Sequence, residues 1–121
     1  MITKLPESHG AVVGYEITGK VSLEIENEWI AELDQLLKEH DKINVLIVLG
    51  KNSRWEKDAG IADIKWITKH VRNFDKIAVV ATGSVWKWLI AVDSFFAKMT
   101  GIKEKYFEPS LIDEAWKWLD S

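Results

Sequence analysis

The chain has 121 residues, a formal net charge of −3 at pH 7 and no cysteine. This length fits one domain, and the lack of cysteine excludes disulfides, thiolate catalysis, zinc ribbons and iron–sulfur clusters. The N-terminus has no apolar segment of signal-peptide length, and no run of about 18 uncharged apolar residues is present to span a membrane. We therefore expect a soluble cytoplasmic protein with no cofactor, and its acidic balance argues against a nucleic-acid partner.

The N-terminal third predicts two strands followed by a helix. Residues 2–5 and 12–18 have the composition of short β-strands, and we expect them to pair antiparallel. Ser22 is a candidate N-cap, and apolar residues at helical spacing predict the first helix over about residues 22–40. The residues expected on its buried face are Trp29, Leu33, Leu36, Leu37 and His40.

The middle of the chain alternates apolar β-type runs with amphipathic helices. Residues 45–49 end at Gly50, and residues 77–81 follow directly on a charged helix end. Such runs are typical of strands buried on both faces of a parallel sheet. Between them the periodicity predicts a second helix with basic residues outside and a buried stripe of Ile61, Ile64, Ile67, Val71 and Phe74.

A third predicted helix follows residues 82–84 and is apolar on most of its circumference. Its core-facing row is Val85, Leu89, Val92, Phe96 and Met99. Further apolar side chains lie off this row, and such a surplus tends to mark a contact site, so Trp86, Trp88 and Phe95 are candidate binding residues. The alternative is that they cover the core.

The C-terminal part predicts one edge strand and one helix. Residues 102–107 form the strand, and Pro109 with Ser110 begin the last helix. Its expected buried residues are Leu111, Ile112, Ala115, Trp116 and Leu119. The order β-β-α-β-α-β-α-β-α predicts an α/β fold with a mostly parallel five-stranded sheet covered by four helices.

Seven tryptophans are the main oddity of the composition. Trp29 and Trp116 fit the predicted core stripes. The other five fall in loops or off the stripes, where large amphipathic rings often meet a partner or a membrane interface; they are Trp55, Trp66, Trp86, Trp88 and Trp118.

Charge is distributed unevenly along the chain. Residues 20–41 hold seven acidic residues against two lysines, and residues 51–76 hold seven basic residues against four acidic ones. The first segment is expected to be an acidic helix in solvent, and the second carries the one basic patch of note.

Several local strings resemble those of the SpoIIAA-like family, a STAS-fold group also likened to CRAL-TRIO lipid-carrier domains. The resemblance implies a single STAS-like domain over residues 1–121, and it rests on Gly19-Lys20-Val21-Ser22, Val45 to Gly50, Phe74 to Val80 and Ala115-Trp116-Lys117-Trp118-Leu119.

The regulators that name this fold carry a serine at the start of the second helix, and its phosphorylation controls binding of a kinase partner. The matching string here is Asp58-Ala59-Gly60, which has no hydroxyl. The resemblance therefore does not transfer the phosphoserine switch, and the nearest serine, Ser53, lies outside the motif.

A polar loop follows the carboxyl end of the strand at residues 45–49, where open α/β sheets commonly place ligands. Its candidate binding residues are Lys51, Asn52, Ser53, Arg54 and Trp55. The two cations and the next helix N-terminus favour an anion, although the Walker spacing is absent and an ordinary polar connection is the alternative. Ser84 lies in a second loop at the same sheet end, as a further candidate or a helix cap.

No catalytic or metal-binding pattern accompanies these loops. His9, His40 and His70 do not stand at metal-ligand spacing and are interpreted as solvated or capping residues. The favoured hypothesis is a non-enzymatic STAS-like binding or regulatory module that engages a protein partner or a second copy as a homodimer. The alternative is a domain that binds a small apolar ligand or a membrane surface, and an enzyme is the least favoured.

Overall fold

A five-stranded sheet forms the centre of the structure, which is a computed structural model and describes residues 1–81 and 102–121. Its strands lie in the order β1-β2-β4-β6-β7, with β1 antiparallel to β2 and every other neighbouring pair parallel. This confirms the predicted mostly parallel sheet. The seven described strands are β1 Ile2–Lys4, β2 Val12–Ile17, β3 Lys20–Val21, β4 Ile43–Leu49, β5 Arg54–Trp55, β6 Phe74–Val80 and β7 Lys103–Phe107.

Three α-helices lie in the described part of the chain: α1 Leu23–Glu39, α2 Lys57–Lys69 and the C-terminal α3 Ile112–Asp120. Short 3₁₀ turns cover Val71–Asn73 and Pro109–Leu111. The predicted N-cap of α1 is confirmed, because the backbone N–H of Ile25 donates to Ser22 Oγ at 3.3 Å. The third helix of the sequence prediction falls on residues 82–101, outside the described residues.

The sheet is apolar on both faces, which explains the continuous apolar runs of β4 and β6. Val45 and Ile77 pack into the core under α1 and α2, whereas Leu46 and Ala78 pack into the core under α3. Successive residues of a strand point to opposite faces, so a strand covered on both sides needs apolar residues at every position.

A second, two-stranded parallel sheet joins β3 to β5 and was not predicted. The N–H of Gly19 donates to Lys51 O at 3.1 Å, and the N–H of Arg54 donates to Gly19 O at 3.0 Å. Gly19 has φ +67°, a left-handed conformation that glycine adopts at no steric cost. The polar loop after Gly50 thus contains the strand β5. A strand of two residues is too short to show a periodic pattern in the sequence.

Lys76 lies inside β6, although the apolar run predicted that this strand starts at Ile77. Its Nζ is buried and donates to Trp118 O at 3.1 Å, Ser121 O at 2.5 Å and Ser121 Oγ at 3.0 Å. These oxygens lie at the C-terminal end of α3, where helix carbonyls lack partners within the helix and favour a cation.

The predicted buried face of α3 is partly confirmed. Ala115, Trp116 and Leu119 are buried, but Leu111 is 47 % exposed. Leu111 belongs to the 3₁₀ turn before the helix, where the change of helical pitch takes it off the stripe.

The predicted buried stripe of α2 was wrong in its first half. Ile61 and Ile64 are 45 % and 48 % exposed, while Trp66, which was predicted to lie off the stripe, is buried together with Ala59. The last two predicted members lie beyond the helix, Val71 in the 3₁₀ turn and Phe74 in β6. Trp66 packs edge-on against Phe74, with ring centroids 5.7 Å apart, and donates its indole N–H to Asp34 Oδ1 on α1 at 2.8 Å. Burial of this larger ring, with its N–H satisfied, decides which side of α2 meets the sheet.

We predict opposite effects for alanine at two glycines. A Cβ on Gly14 in β2 would lie 2.5 Å from Trp116 Cη2, so Gly14→Ala should lower the free energy of unfolding by about 1–3 kcal/mol. At Gly60 in α2 the nearest atom to a new Cβ is Trp55 Cβ at 3.8 Å, so Gly60→Ala should raise that free energy by about 0.5–1 kcal/mol.

Urea denaturation followed by circular dichroism measures both changes. A Gly14→Ala protein as stable as the unsubstituted chain would contradict the contact between β2 and Trp116.

Candidate functional site

The solvent side of α2 combines isoleucines with cations. Ile61 and Ile64 lie at its centre, Lys57 and Lys65 lie along the same side, and Arg72 follows in the 3₁₀ turn after the helix; all of them are exposed. We call this surface the α2 face; it consists of Lys57, Ile61, Ile64, Lys65, Lys69 and Arg72. Exposed aliphatic side chains that adjoin one another on one helix mark a contact surface more often than scattered single residues do.

The cations of the α2 face are not consumed by salt bridges to other described residues. The ion pairs found in residues 1–81 and 102–121 involve other side chains, such as Lys20 with Glu56 at 3.3 Å and Lys117 with Glu114 at 3.7 Å. The face therefore offers its positive charge to solvent or to a partner.

Beneath α1 and α2 lies a pair of acidic side chains. Glu26, in the first turn of α1, is completely buried, and its carboxyl group interacts with Asp63 on α2 and with the indole of Trp55 on β5. Burial, and then the neighbouring Asp63, raise the pKa of Glu26 to about 9. Burial also raises the pKa of Asp63, against the opposing effect of the neighbouring Glu26.

The pair therefore retains a proton at neutral pH, because two ionised carboxylates at this depth would repel each other and lose their hydration. Because Glu26 has no exposed surface, it cannot offer its proton to a substrate in solution. Among the described residues no group of three or more acidic or histidine side chains could hold a metal ion. The pair lies where α1 packs on α2, so the stability of this packing depends on whether the pair keeps its proton.

Sequence reasoning had not singled out Glu26 or Asp63. Glu26 lies three residues before Trp29 and seven before Leu33, so it occupies the same helical stripe as these buried residues. The sequence signal for a buried carboxyl group was therefore an acidic residue on the apolar stripe of α1.

The predicted binding loop is held in place by the β3–β5 pairing. Lys51, Asn52 and Arg54 are exposed, whereas Ser53 and Trp55 are half-buried. Asn52 has φ +58°, and its carbonyl accepts a hydrogen bond from Arg54 Nη1 at 3.1 Å. The loop thus has a defined structural role in joining two parallel strands.

The N-terminus of α2 already carries carboxylates. Asp58 Oδ1 accepts from the N–H of Ala59 at 2.9 Å, and Glu56 occupies the N-cap position and pairs with Lys20. Negative side chains at this end satisfy the helix dipole and repel a further anion, so the geometry does not favour the predicted anion site. The other candidates, Ser84, Trp86, Trp88 and Phe95, lie outside the described residues.

The three histidines have local structural roles. His9 Nε2 lies 2.7 Å from Asp120 Oδ1, and the Glu7 carbonyl followed by Asp120 raises the pKa of this exposed imidazole. The backbone N–H of His40 caps α1 at Leu36 O. His70 stacks on Trp66, with centroids 4.6 Å apart, and its Nε2 lies 3.8 Å from Asp34.

Comparison with known proteins places this geometry in a family. The family model described as SpoIIAA-like matches residues 12–120. The chain belongs to the SpoIIAA-like family. No curated protein matches it.

A crystal structure shares the SpoIIAA-like fold. It is an uncharacterized protein of the DUF3478 family from Shewanella loihica PV-4, solved at 2.25 Å resolution, with 23 % sequence identity and a TM-score of 0.76. The alignment covers 98 % of the present chain and 93 % of that protein. None of the described helices is long and apolar enough to cross a membrane.

The start of α2 in this SpoIIAA-like chain is formed by the string Asp58-Ala59-Gly60. Ala59, in the matching string, is completely buried, and its N–H is bonded to the Asp58 side chain. Ser53 is half-buried on the loop upstream.

We predict that the stability of this SpoIIAA-like chain falls as the pH rises. Between the ordinary pKa of Glu26, 4.5, and its value of about 9 in the folded chain, the folded protein binds more protons than the unfolded one. The stabilisation is complete below the lower value and is lost as pH rises towards the upper one. We expect a loss of about 2–4 kcal/mol in unfolding free energy between roughly pH 5 and pH 8.

Glu26→Gln should remove most of this dependence, because the amide stays neutral at every pH. Glu28→Gln is the matched control, since Glu28 lies on the exposed side of the same helix, and it should retain the dependence. Urea titrations across this pH range measure all three proteins. Parallel pH profiles for Glu26→Gln and the unsubstituted chain would show that Glu26 ionises normally.

Proposed function

We propose that this chain is a non-enzymatic binding module that engages another protein through the α2 face, without the phosphoserine control of its sporulation relatives. The observation that carries the proposal is the outward position of Ile61 and Ile64, which are 45 % and 48 % exposed although they lie on a helix packed against the core. Because each isoleucine is already about half-buried, a contact that buries both would gain about 1 kcal/mol for each of them.

The cations around these isoleucines define the chemistry of the partner. A neutral apolar partner would leave the positive charges of Lys57, Lys65 and Arg72 unpaired. An acidic partner would offer them complementary charge. The partner expected from this face is a protein with acidic residues around a small apolar centre.

The face is rigidly supported from below. The Trp66–Asp34 hydrogen bond and the Glu26–Asp63 pair both connect α2 to α1, and Trp66 also packs on Phe74 of β6. A surface fixed in this way loses little conformational entropy on binding.

An anionic lipid surface is the second candidate, because basic side chains next to exposed isoleucines also suit a membrane interface. The proposal of a small apolar ligand gains no comparable support in the described residues. Both sides of the sheet there are occupied by packed clusters around Trp29 and Trp116.

We predict that a photocrosslinking side chain at position 64 forms an adduct with one acidic protein in the native cell, and that the same group at exposed Asp113 on α3 does not. Once the adduct is identified, binding of that purified protein should weaken by at least about tenfold for Ile64→Asp, since a carboxylate replaces the apolar contact. Leu111→Asp is the matched control, because Leu111 is 47 % exposed outside the α2 face.

Equal binding by Ile64→Asp and the unsubstituted protein would contradict the proposal. Co-sedimentation with anionic vesicles, lost in Ile64→Asp and without any protein adduct, would instead favour the lipid candidate.

A further inference from the structure

The solvent side of α1 has the opposite charge to the α2 face. Glu24, Glu28, Glu32 and Glu39 are exposed along it, and Ala31 lies among them. We call these five residues the α1 face. Glu32 is also the hydrogen-bond partner of buried Tyr15, which holds its carboxylate in position.

The charges on the two faces have the same spacing. Glu24, Glu32 and Glu39 are separated by eight and then seven residues, and so are Lys57, Lys65 and Arg72. In this register Ala31 corresponds to Ile64, so a small side chain lies where the isoleucine needs room. Within α2 itself this alignment matches two charge pairs and one pair of sizes, and Arg72 follows in the 3₁₀ turn beyond the helix end. Glu28 lies opposite Ile61, one turn from both Lys57 and Lys65, so its carboxylate adds to the negative charge that these lysines would meet.

From this match we infer that the protein partner of the α2 face is a second copy of the chain, with the α2 face of each copy packed on the α1 face of the other. The inference rests on the proposed function, which it deepens by naming the partner. An isologous dimer needs a surface that is complementary to itself, and a basic face beside an acidic one provides this.

The layer geometry permits such a pairing. α1 and α2 each connect adjacent parallel strands, so they run in the same direction on the same face of the sheet. A two-fold axis that is parallel to both helices and lies on their solvent side, above the groove between them, brings α1 of one copy over α2 of the other, and the reverse.

Two charges on these helices have the wrong sign for this pairing, and neither prevents it. Asp58 directs its carboxylate to the N–H of Ala59 in its own helix. Lys38 lies next to Glu39, which can shield it from Arg72 of the other copy.

Charge reversal on each face separately tests the inference. One variant carries Lys57→Glu, Lys65→Glu and Arg72→Glu, and the other carries Glu24→Lys, Glu32→Lys and Glu39→Lys. Each alone would place like charges in contact across both halves of the dimer. We expect sedimentation velocity at low salt to show a dimer of the unsubstituted chain and at least about a tenfold weaker dimer for each variant.

An equimolar mixture of the two variants should restore the dimer, because each reversed face then meets its complement. The control matched to the α2-face variant is Lys4→Glu, Lys103→Glu and Lys117→Glu, which makes the same change in net charge at exposed residues outside both faces and should leave the dimer intact. Circular dichroism shows that each variant is folded.

A monomeric unsubstituted chain at all concentrations, a dimer insensitive to both reversals, or a mixture that stays monomeric would each overturn the inference. A different result separates this inference from the proposed function. If the adduct at position 64 is another protein whose binding Ile64→Asp weakens, the α2 face remains a binding surface while the second copy is excluded.

Discussion

The burial of Trp66 fixes the rotation of α2 about its axis, and the features of functional interest depend on that rotation. With the indole against Phe74 and its N–H on Asp34, Asp63 turns inward to Glu26 while Ile61 and Ile64 turn outward. One large amphipathic side chain thus produces both the acidic pair inside and the apolar centre outside. Its contacts outweigh the burial that two isoleucines would have gained.

The acidic pair shows how the α1–α2 interface tolerates polar groups. Two ionised carboxylates at this depth would repel each other and lose their hydration, so the pair keeps a proton that an exposed carboxyl would release. Loss of this proton at high pH would weaken the packing of α1 on α2, so that packing depends on pH. Since both outer faces lie on these two helices, anything that changes their packing also changes the relative position of the acidic and basic surfaces.

Membership of the SpoIIAA-like family establishes a fold, and within that fold the interaction surface has its own chemistry. The start of α2 is occupied by buried Ala59 and by carboxylates that satisfy the helix end. The distinctive features of this chain lie further along α2 and on α1. They are the basic charge and exposed isoleucines of α2 and the acidic charge of α1.

The sequence by itself determined the order of the main strands and described helices, the parallel sheet and the cap at Ser22, because hydrophobic periodicity and local hydrogen bonds are properties of adjacent residues. Only the tertiary structure decided the β3–β5 pairing, the place of Lys76 and the side of α2 that is buried. Those depend on partners distant in the chain: Gly19 with Arg54, Lys76 with Ser121, and Trp66 with Asp34. The buried side of α2 carries Asp63 beside Trp66, so apolar periodicity favoured the isoleucines, and the observed choice needed a hydrogen-bond acceptor 32 residues away.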